Sequence, residues 1–500
     1  MENPLGVVSL SAFKKSEIYI FIILFVLAFI LRFFSFFPSI IDHDESTYLV
    51  IGNEITKGKI LYTDVTDIKP VGIFYITAAF IKIFGRSIFG FRLFVTAVIT
   101  ITSFLLYKTK LHLGHTRNVA LASSIIYIFF LSVWAFYGIS VNTEHFFNFF
   151  TALALYILFS CRGNWRFLLA GFVIGLGFLI KVIVIFDLMA IFLFFLISDF
   201  IDKELTPRRF GLYFLSFVLF LVPFGIVNLA FYLSGHFQDF CQINYKAFGN
   251  YSQNKAVISF IIFILDFFLR FLPISIFCFW SFFKNYPLKH IIIREKLLIG
   301  IWFVFCIISA YIPGKLFAHY LIPLMLPMSL LAGNFFSKNI TKPSIIKMIL
   351  NKKMGYLLLG VIIIINILLQ KKDLYDKKDC PRSVARYLTG TLNKGDILYT
   401  GNAQQILYFL LDISPPTRYI HSSLIFTQEH NKTLGINEEE ELRIILNKKP
   451  RFILVRDSRS AYSLINALNN NYVLEKYFTD CHVRIFRLID PKGQAQATGD

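Results

Sequence analysis

Long apolar runs separated by short polar loops recur through the first three quarters of the chain. About eleven of these runs are long enough to be read as membrane-crossing helices, which need roughly 20 apolar residues each. They lie near residues 17–37, 88–108, 117–136, 144–161, 166–183, 184–199, 210–233, 258–282, 296–312, 316–335 and 354–370. The pattern therefore predicts a mainly α-helical, polytopic membrane protein. The first run lacks a small-residue cleavage site, so we interpret it as a retained span.

Two apolar segments depart from the pattern of one run per span. Residues 166–199 would extend about 50 Å as a single helix, which exceeds the hydrocarbon thickness of a bilayer. We therefore expect a hairpin that turns near residues 181–187. Residues 70–84 are too short to span and are expected to form a helix along the membrane interface, within a first outer loop at 38–87.

The pattern changes after residue 370, where long apolar runs give way to short helical and strand-like segments. We expect helices at 382–392, 403–411, 438–447 and 462–469, and strands at 396–399, 451–455, 473–478 and 483–488. The predicted organisation is a membrane domain at 1–370, a small soluble α/β domain at 371–490 and a disordered tail at 491–500. The α/β domain contains no nucleotide-binding or metal-ligand motif, so we expect it to cover the site or to engage an acceptor.

Composition supports a membrane protein, and the positions of the charges give its orientation. The chain is 56% hydrophobic with a mean hydropathy of +0.63, which excludes an ordinary soluble protein. A net charge of +19 would fit a nucleic-acid partner, but the lysines and arginines cluster in alternate loops, where they act as topology signals. We therefore expect no nucleic acid, an N-terminus in the cytoplasm and a C-terminal domain on the extracytoplasmic, periplasmic side of the cytoplasmic (inner) membrane.

The first outer loop contains the strongest candidate for chemistry. Asp42, His43, Asp44 and Glu45 follow the first span directly, and Tyr48 comes three residues later. A single acid here would be an ordinary hydrated loop residue. Four polar residues in succession beside lipid favour function instead, because such groups are costly near a bilayer unless they are solvated or used. A carboxylate at this height can act as a general base toward a hydroxyl group.

A second motif, at residues 67–70, closes the same loop. Asp67 and Lys69 precede Pro70, a residue suited to the start of a helix, and both a lysine and a helix N-terminus favour an anion. The alternative is a lysine that snorkels to lipid headgroups. Six further polar residues are expected near the outer boundary of the membrane. Each alone would be an ordinary boundary residue, but together they offer several cations and a second acid. They are Arg92, Glu144, Lys181, Lys315, His319 and Tyr320.

The sequence leaves the cofactor question open. Adjacent acids such as Asp44 and Glu45 are able to hold a divalent cation through oxygen ligands, but two of them in one loop do not establish a metal site. No other cofactor is indicated. The six cysteines show no CxxC spacing, which argues against a zinc or redox motif, and Cys380 is able to pair with Cys481 if the C-terminal domain is extracytoplasmic.

The motifs of the first loop resemble a known family in their order and spacing. Residues 44–48, 61–64, 67–70 and 84–87, followed by Arg92, resemble the first-loop pattern of the GT-C glycosyltransferases. Within that superfamily the chain is most similar to the aminoarabinose-transferase and protein O-mannosyltransferase-like enzymes. Further matches are Glu144 before an aromatic run, residues 175–181, residues 319–323 and residues 394–398. The chain departs from the pattern at Ile68 and Val71, where the family usually has an acid and a second proline.

The resemblance implies an inverting transfer of one sugar from a polyprenyl-phosphate-linked donor to an envelope acceptor on the extracytoplasmic face. The acceptor would be lipid A, another envelope glycan or a protein. By the same resemblance Asp44 would be the catalytic carboxylate, Glu45 would help to position it, and Lys69 would bind the donor phosphate. Glu144, Lys181, His319 and Tyr320 would line the same cavity, beside membrane lipids.

Two other classes of protein compete with this interpretation. A transporter or flippase of a lipid-linked sugar would also be polytopic, but transporters usually place their sites near the membrane midplane between repeated halves. In this chain the polar residues gather at one membrane face and no internal repeat is visible. A scaffold protein would leave the acids of the first loop without a role. The enzyme is therefore the favoured hypothesis.

Overall fold

The computed structural model describes residues 15–133, 136, 138–247, 256–283, 289–337, 352–457, 461–468 and 471–489. Most of the basic stretch 338–353, part of the outer loop 234–257 and the predicted tail 491–500 lie outside the described residues. The chain divides into two compact units, each assembled from separate stretches of sequence. The helical unit comprises Met1–Phe36, Phe89–Ala230 and Ser252–Asp373, and the mixed unit comprises Phe37–Ile88, Phe231–Tyr251 and Leu374–Asp500.

Helices dominate the described residues. Up to residue 370 they are α1 (Lys15–Arg32), α2 (His43–Thr56), α3 (Val71–Phe84), α4 (Ile88–His112), α5 (Arg117–Phe130), α6 (Thr143–Ser160), α7 (Trp165–Phe178), α8 (Ile185–Ile201), α9 (Pro207–Leu233), α10 (Phe237–Cys241), α11 (Val257–Arg270), α12 (Leu272–Phe283), α13 (Lys289–Tyr311), α14 (Met325–Asn334) and α15 (Lys352–Gln370). Beyond it they are α16 (Cys380–Thr389), α17 (Ile406–Leu411), α18 (Ser423–Phe426), α19 (Gln428–Leu434), α20 (Glu438–Asn447) and α21 (Ala461–Leu468). The predicted mainly α-helical class is confirmed.

Several helices are suited to crossing a membrane, which identifies an integral membrane protein. Within the described residues, four helical stretches are long and apolar enough to span: Lys15–Phe36, Ile88–His112, Val182–Ile201 and Pro207–Leu233. The pair α11 and α12 would count as a fifth, broken span, with a bend of 96°. The expected number of about eleven spans stays a prediction.

Three apolar segments are interrupted, one at the turn that the sequence predicted near residues 181–187 and two where the sequence suggested one continuous span. The chain leaves α7 at Phe178 and enters α8 through a short 3₁₀ turn at Val182–Val184, so residues 166–199 are not one long helix. Residues 258–282 bend at the α11–α12 junction, where Pro273 lacks the N–H needed to continue a helix. Residues 316–335 form a 3₁₀ turn at Ala318–Leu321 and then α14, with Pro323 between them.

Close packing in the helical unit depends on two glycines of α7. A β-carbon added at Gly171 would lie 2.2 Å from the carbonyl oxygen of Ser216, and one at Gly175 would lie 2.3 Å from that of Phe220. Two glycines four residues apart therefore let the backbones of α7 and α9 approach each other, as small residues do between membrane helices. Part of the 175–181 run that carried the family resemblance thus has a packing role.

A buried arginine satisfies backbone carbonyl groups inside the helical unit. Arg32 lies at the end of α1 and donates to the carbonyl oxygens of Leu131, Gly138 (3.1 Å) and Ile139 (2.8 Å). These carbonyl groups lie beyond the end of α5 at Phe130. Because an unpaired polar group is costly in an apolar environment, Arg32 stabilises this part of the fold by pairing them.

The mixed unit contains the predicted sheet. Its four strands are β1 (Leu398–Tyr399), β2 (Phe452–Arg456), β3 (Tyr472–Phe478) and β4 (Val483–Leu488), in the order β1-β2-β4-β3. Strand β1 pairs with β2 in parallel, and the other pairs are antiparallel. All four strands overlap the segments expected from the sequence, so the expected small sheet is confirmed, whereas the bounds 371–490 of a separate domain stay a prediction.

Successive side chains of β2 point to opposite faces of the sheet, and apolar residues cover both faces. Phe452 and Leu454 belong to one apolar core, and Ile453 and Val455 belong to another. The first core is completed by α16 and α17, and the second by α20 and α21. Since both faces of the strand are buried, it appears in the sequence as a continuous apolar run.

The acids of the first loop lie in a helix rather than in an irregular loop, which corrects the sequence-based picture. Asp42 caps α2, because its Oδ1 accepts the N–H of Asp44 at 3.1 Å. Asp44 and Glu45 therefore occupy the first helical turn, where acidic side chains are favoured by the helix dipole. Gly52 allows α2 to pack against α3, since a β-carbon there would lie 2.7 Å from the Thr77 methyl group.

A disulfide joins Cys380 at the start of α16 to Cys481 before β4, as the sequence allowed. We expect Cys380→Ser to lower the stability of the mixed unit by about 2–4 kcal/mol, because the bond closes a long loop in the unfolded chain. The measurement is thermal unfolding of the purified protein in detergent. Cys241→Ser is the matched control, since Cys241 is an unpaired cysteine of the same unit. Equal melting temperatures for both variants would contradict the prediction.

Candidate active site

Asp44, Asp67 and Lys69 form a compact charged cluster in the mixed unit. The Lys69 Nζ lies 2.9 Å from Asp44 Oδ1 and 3.3 Å from Asp67 Oδ1. It also lies 5.5 Å from the centre of the Tyr48 ring, close enough for a cation–π contact. The structure thus brings together four residues that the sequence singled out. The side chains of Asp44 and Lys69 are each 21% exposed, so the cluster is accessible from outside the protein.

Backbone contacts explain why the cluster forms. The Tyr62 hydroxyl donates to the carbonyl oxygen of Lys69 at 2.8 Å, and the Lys69 N–H donates to Asp67 Oδ1 at 3.1 Å. Residues 66–69 are therefore held in a defined turn before α3 begins. Asp44 lies in the first turn of α2, which packs on α3, and from the turn before α3 the Lys69 ammonium group reaches its carboxylate.

The last stretch of the mixed unit, Leu374–Asp500, is called the C-terminal segment. It pairs with this turn and adds residues that the sequence did not predict. The Thr66 N–H donates to the carbonyl oxygen of Arg418 at 2.6 Å, and the Ile420 N–H donates to the carbonyl oxygen of Thr66 at 3.3 Å. This pairing places His421 beside the acids, with its Nε2 3.9 Å from Asp44 Oδ1. No local pattern around His421 signals this role, because its partners lie at the opposite end of the chain.

The start of α2 is held by a second residue of the C-terminal segment. The Gln405 Nε2 donates to the carbonyl oxygen of His43 and to Thr47 Oγ1, at 3.0 Å each. Gln405 is buried, and so is Thr47. These contacts tie the first turn of α2, and with it Asp44, to the α/β part of the same unit.

Burial and charge set the protonation states of the cluster. Burial, together with the neighbouring Asp44 carboxylate, raises the pKa of Asp42 to about 7. Burial by itself would lower the pKa of Lys69, but Asp44 and Asp67 outweigh it and hold that pKa well above its usual value. Burial lowers the pKa of His421 to about 4, although Asp44 opposes the shift. Near neutral pH the lysine is therefore charged and His421 is neutral.

The remaining predicted residues of the first motif and of α4 are buried. Glu45 lies in the first turn of α2 and is only 1% exposed. Arg92 lies in the helical unit, where it donates to the carbonyl oxygen of Ser35 at 2.7 Å. The predicted roles of both residues in positioning and substrate binding stay predictions.

A second polar group lies in the helical unit. Lys181 forms an ion pair with Glu144 at the start of α6, and its Nζ lies 4.4 Å from the centre of the Tyr320 ring. The His319 and Tyr320 rings are 4.8 Å apart in an edge-on contact. Lys315 is largely buried, and its Nζ lies 5.9 Å from the centre of the Phe317 ring. The structure thus brings together Glu144, Lys181 and Tyr320 within one unit, whereas a shared cavity with Asp44 stays a prediction.

Comparison with solved structures assigns the fold. The crystal structure of ArnT from Cupriavidus metallidurans bound to undecaprenyl phosphate matches with a TM-score of 0.66 at 12% identity, over 95% of this chain and 98% of that chain. This chain has the fold of ArnT. The apo structure of the same protein matches with a TM-score of 0.62 at 12% identity, over 93% of this chain and 97% of that one. The expected architecture, mainly helical with a small sheet, therefore agrees with the ArnT fold.

Comparison with sequence families agrees with the ArnT fold. Residues 68–226 match the family described as dolichyl-phosphate-mannose-protein mannosyltransferase. The matched range contains Lys69, Arg92, Glu144 and Lys181, and it leaves out Asp44. A comparison with curated protein sequences finds no match. The recognition of a GT-C pattern in the sequence is thus supported by both family and fold.

The metal requirement of the charged cluster is not decided by its side chains. In the part of the chain that the structure describes, no group of three or more His, Cys, Asp or Glu side chains is placed to hold a metal ion. The cation that faces Asp44 and Asp67 is the Lys69 ammonium group. A requirement for a divalent cation stays a prediction.

Proposed function

We propose that this protein is a glycosyltransferase that moves one sugar from a polyprenyl-phosphate-linked donor to an envelope acceptor on the extracytoplasmic face. The acceptor is lipid A, another envelope glycan or a protein. The observation that carries the proposal is the pairing of Asp44, in the first turn of α2, with Lys69, in the turn before α3 of the same unit. The ArnT fold supports it, since a similarly folded protein binds undecaprenyl phosphate.

The chemistry needs a base for the acceptor and a cation for the leaving group. The acceptor hydroxyl attacks the anomeric carbon, the bond from that carbon to the phosphate oxygen breaks, and the anomeric configuration inverts. Asp44 takes the hydroxyl proton, and the departing polyprenyl phosphate carries the negative charge. A fixed cation that faces this charge stabilises the transition state more than the ground state.

Lys69 is well placed to provide that cation. Its ammonium group is charged near neutral pH because Asp44 and Asp67 stabilise it. The 14-residue helix α3 begins two residues later, and its N-cap residue Pro70 makes no side-chain capping hydrogen bond. The first N–H groups of α3 and the helix dipole favour an anion at the same place. A lipid phosphate therefore meets two positive features next to the base.

The disulfide supports the proposed orientation, with the mixed unit outside the cytoplasm. Disulfides persist in oxidising compartments and are rare in the cytosol. We propose that the N-terminus is cytoplasmic, as the basic loops of the sequence predict.

In intact cells Cys380 and Cys481 should then resist a thiol reagent until a reductant is added. Labelling without reductant would contradict this orientation.

A transfer assay with the full-length protein tests the proposed function. The purified protein is given a polyprenyl-phosphate sugar with a radiolabelled sugar, together with an extract of envelope glycolipids and proteins. We expect the label on an acceptor and an equal amount of free polyprenyl phosphate. A flippase would move the donor across the membrane of a proteoliposome without cleaving it, and a scaffold would do neither. Either result would overturn the proposal. Mass spectrometry of the labelled product then names the sugar and the acceptor.

A further inference from the structure

The hydrogen bonds of His421 determine which of its ring nitrogens carries the proton. The backbone N–H of Ser423 donates to His421 Nδ1 at 3.2 Å. A nitrogen that accepts this bond has no proton of its own. The Ser423 hydroxyl lies 2.7 Å from the same nitrogen and donates to it as well. Neutral His421 therefore carries its proton on Nε2, the atom that faces Asp44.

The contacts of His430 agree with the Ser423 hydroxyl being the donor to His421. Its Nδ1 lies 3.2 Å from the carbonyl oxygen of Ser423 and 3.1 Å from the Ser423 hydroxyl. A carbonyl oxygen only accepts, so His430 Nδ1 is a donor. The hydrogen bonds then run from His430 to Ser423 and from Ser423 to His421. Because the Ser423 hydroxyl accepts from His430, its own proton is directed to His421 Nδ1, and the proton of His421 is left on Nε2, toward Asp44.

The distance between His421 and Asp44 is too long for a direct hydrogen bond. Their nearest atoms, Nε2 and Oδ1, are 3.9 Å apart. One oxygen atom placed beside both would lie within hydrogen-bonding distance of each. An alcohol suits this place, because its oxygen accepts from Nε2–H, its proton goes to the carboxylate, and its second lone pair stays available.

We propose that His421 and Asp44 together bind the hydroxyl group of the acceptor, with His421 as donor to its oxygen and Asp44 as acceptor of its proton. This inference rests on the proposed glycosyl transfer and assigns the acceptor side of that site. When Asp44 removes the proton, the oxygen gains negative charge and its bond to Nε2–H strengthens, so His421 also stabilises the attacking oxygen. The acceptor is therefore an alcohol, and a residue of the C-terminal segment is needed to hold it.

The charges that face His421 are compatible with a neutral ring. Asp44, Asp67, Lys69 and His43 all act on it electrostatically, and burial dominates to lower its pKa to about 4. The ring thus keeps a single proton from about pH 5 upward. We expect a variant that keeps an N–H group at the Nε2 position to have the pH profile of the wild type.

Steady-state kinetics with the full-length protein test the inference. We expect His421→Ala to reduce kcat/KM for the acceptor by about 10- to 100-fold, because the variant leaves a buried hydrogen-bond position empty. The KM for the donor should stay within about twofold of the wild type, since no donor contact is lost. His421→Gln should recover most of the activity, because its Nε2–H lies where the imidazole Nε2–H was.

Control variants separate this role from a purely structural one. His482→Asn, at an exposed turn of the same unit, should behave as the wild type. Equal losses toward donor and acceptor in His421→Ala, or no recovery by His421→Gln, would overturn the inference while the transfer reaction stands. An absence of transfer by the wild type would overturn the proposed function and this inference with it.

Discussion

Asp44→Asn should reduce sugar transfer by about 10²- to 10⁴-fold, because it removes the group that accepts the hydroxyl proton. Asparagine has the shape of aspartate and is tolerated in the first turn of a helix, so α2 should still form. Lys69 keeps its second ion pair with Asp67, at 3.3 Å, which preserves the local charge balance in part. The measurement is the rate of polyprenyl phosphate release from a labelled donor with acceptor in excess.

The control for this prediction lies in the same segment. Asp64 precedes the Asp67 motif, and its Oδ2 accepts the N–H of Ile60 at 2.8 Å, a bond that an asparagine is also able to form. Asp64→Asn should therefore retain the wild-type rate. Membrane insertion and melting temperature should be the same for both variants. If Asp44→Asn turned over at a near-normal rate, Asp44 would not be the base.

Lys69→Ala should weaken donor binding by about 10- to 100-fold, with little change in the affinity for the acceptor. A charge-assisted hydrogen bond to a phosphate is worth about 1.5–3 kcal/mol, and each 1.4 kcal/mol is a factor of ten in affinity. The variant also leaves Asp44 and Asp67 without the ammonium group between them, and their negative charge repels a phosphate. The measurement is the KM for the donor, or direct titration with polyprenyl phosphate.

Two further lysine variants sharpen this test. Lys69→Arg keeps the positive charge and should retain more donor affinity than Lys69→Ala. Lys59→Ala removes an exposed lysine from the same segment and should leave donor binding unchanged. Unchanged donor affinity in Lys69→Ala, or an equal loss in Lys59→Ala, would contradict a specific phosphate contact.

The charged cluster of Asp44, Asp67 and Lys69 was predictable from the sequence because its members are close along the chain. Asp44 and Lys69 are separated by 25 positions, and the single short helix α2 and the turn that follows it allow few arrangements. Charged groups beside apolar spans are costly, so their occurrence in one loop indicated a site before any contact was known. The sheet was predictable for a similar reason, since strands such as β2 are short apolar runs bounded by polar residues.

The acceptor side of the site was not predictable in this way. His421 reaches Asp44 because Thr66 pairs with the backbone on both sides of Tyr419, and backbone pairing leaves no signature in side-chain periodicity. Helix α2 was also missed, because its buried polar residues Glu45, Asn53 and Glu54 resemble a loop in composition. Contacts between distant segments placed His421 beside Asp44 and made α2 helical despite its polar composition.

The sequence by itself determined that this is a polytopic membrane protein with a small sheet and a charged first loop, because long apolar runs indicate membrane spans and short apolar runs bounded by polar residues indicate strands. Only the tertiary structure decided that Lys69 binds both Asp44 and Asp67, and that the Nε2 atom of His421 faces Asp44. The physical reason is that periodicity reports which faces of an element are buried. The partners of a polar side chain depend on how distant segments of the chain pair.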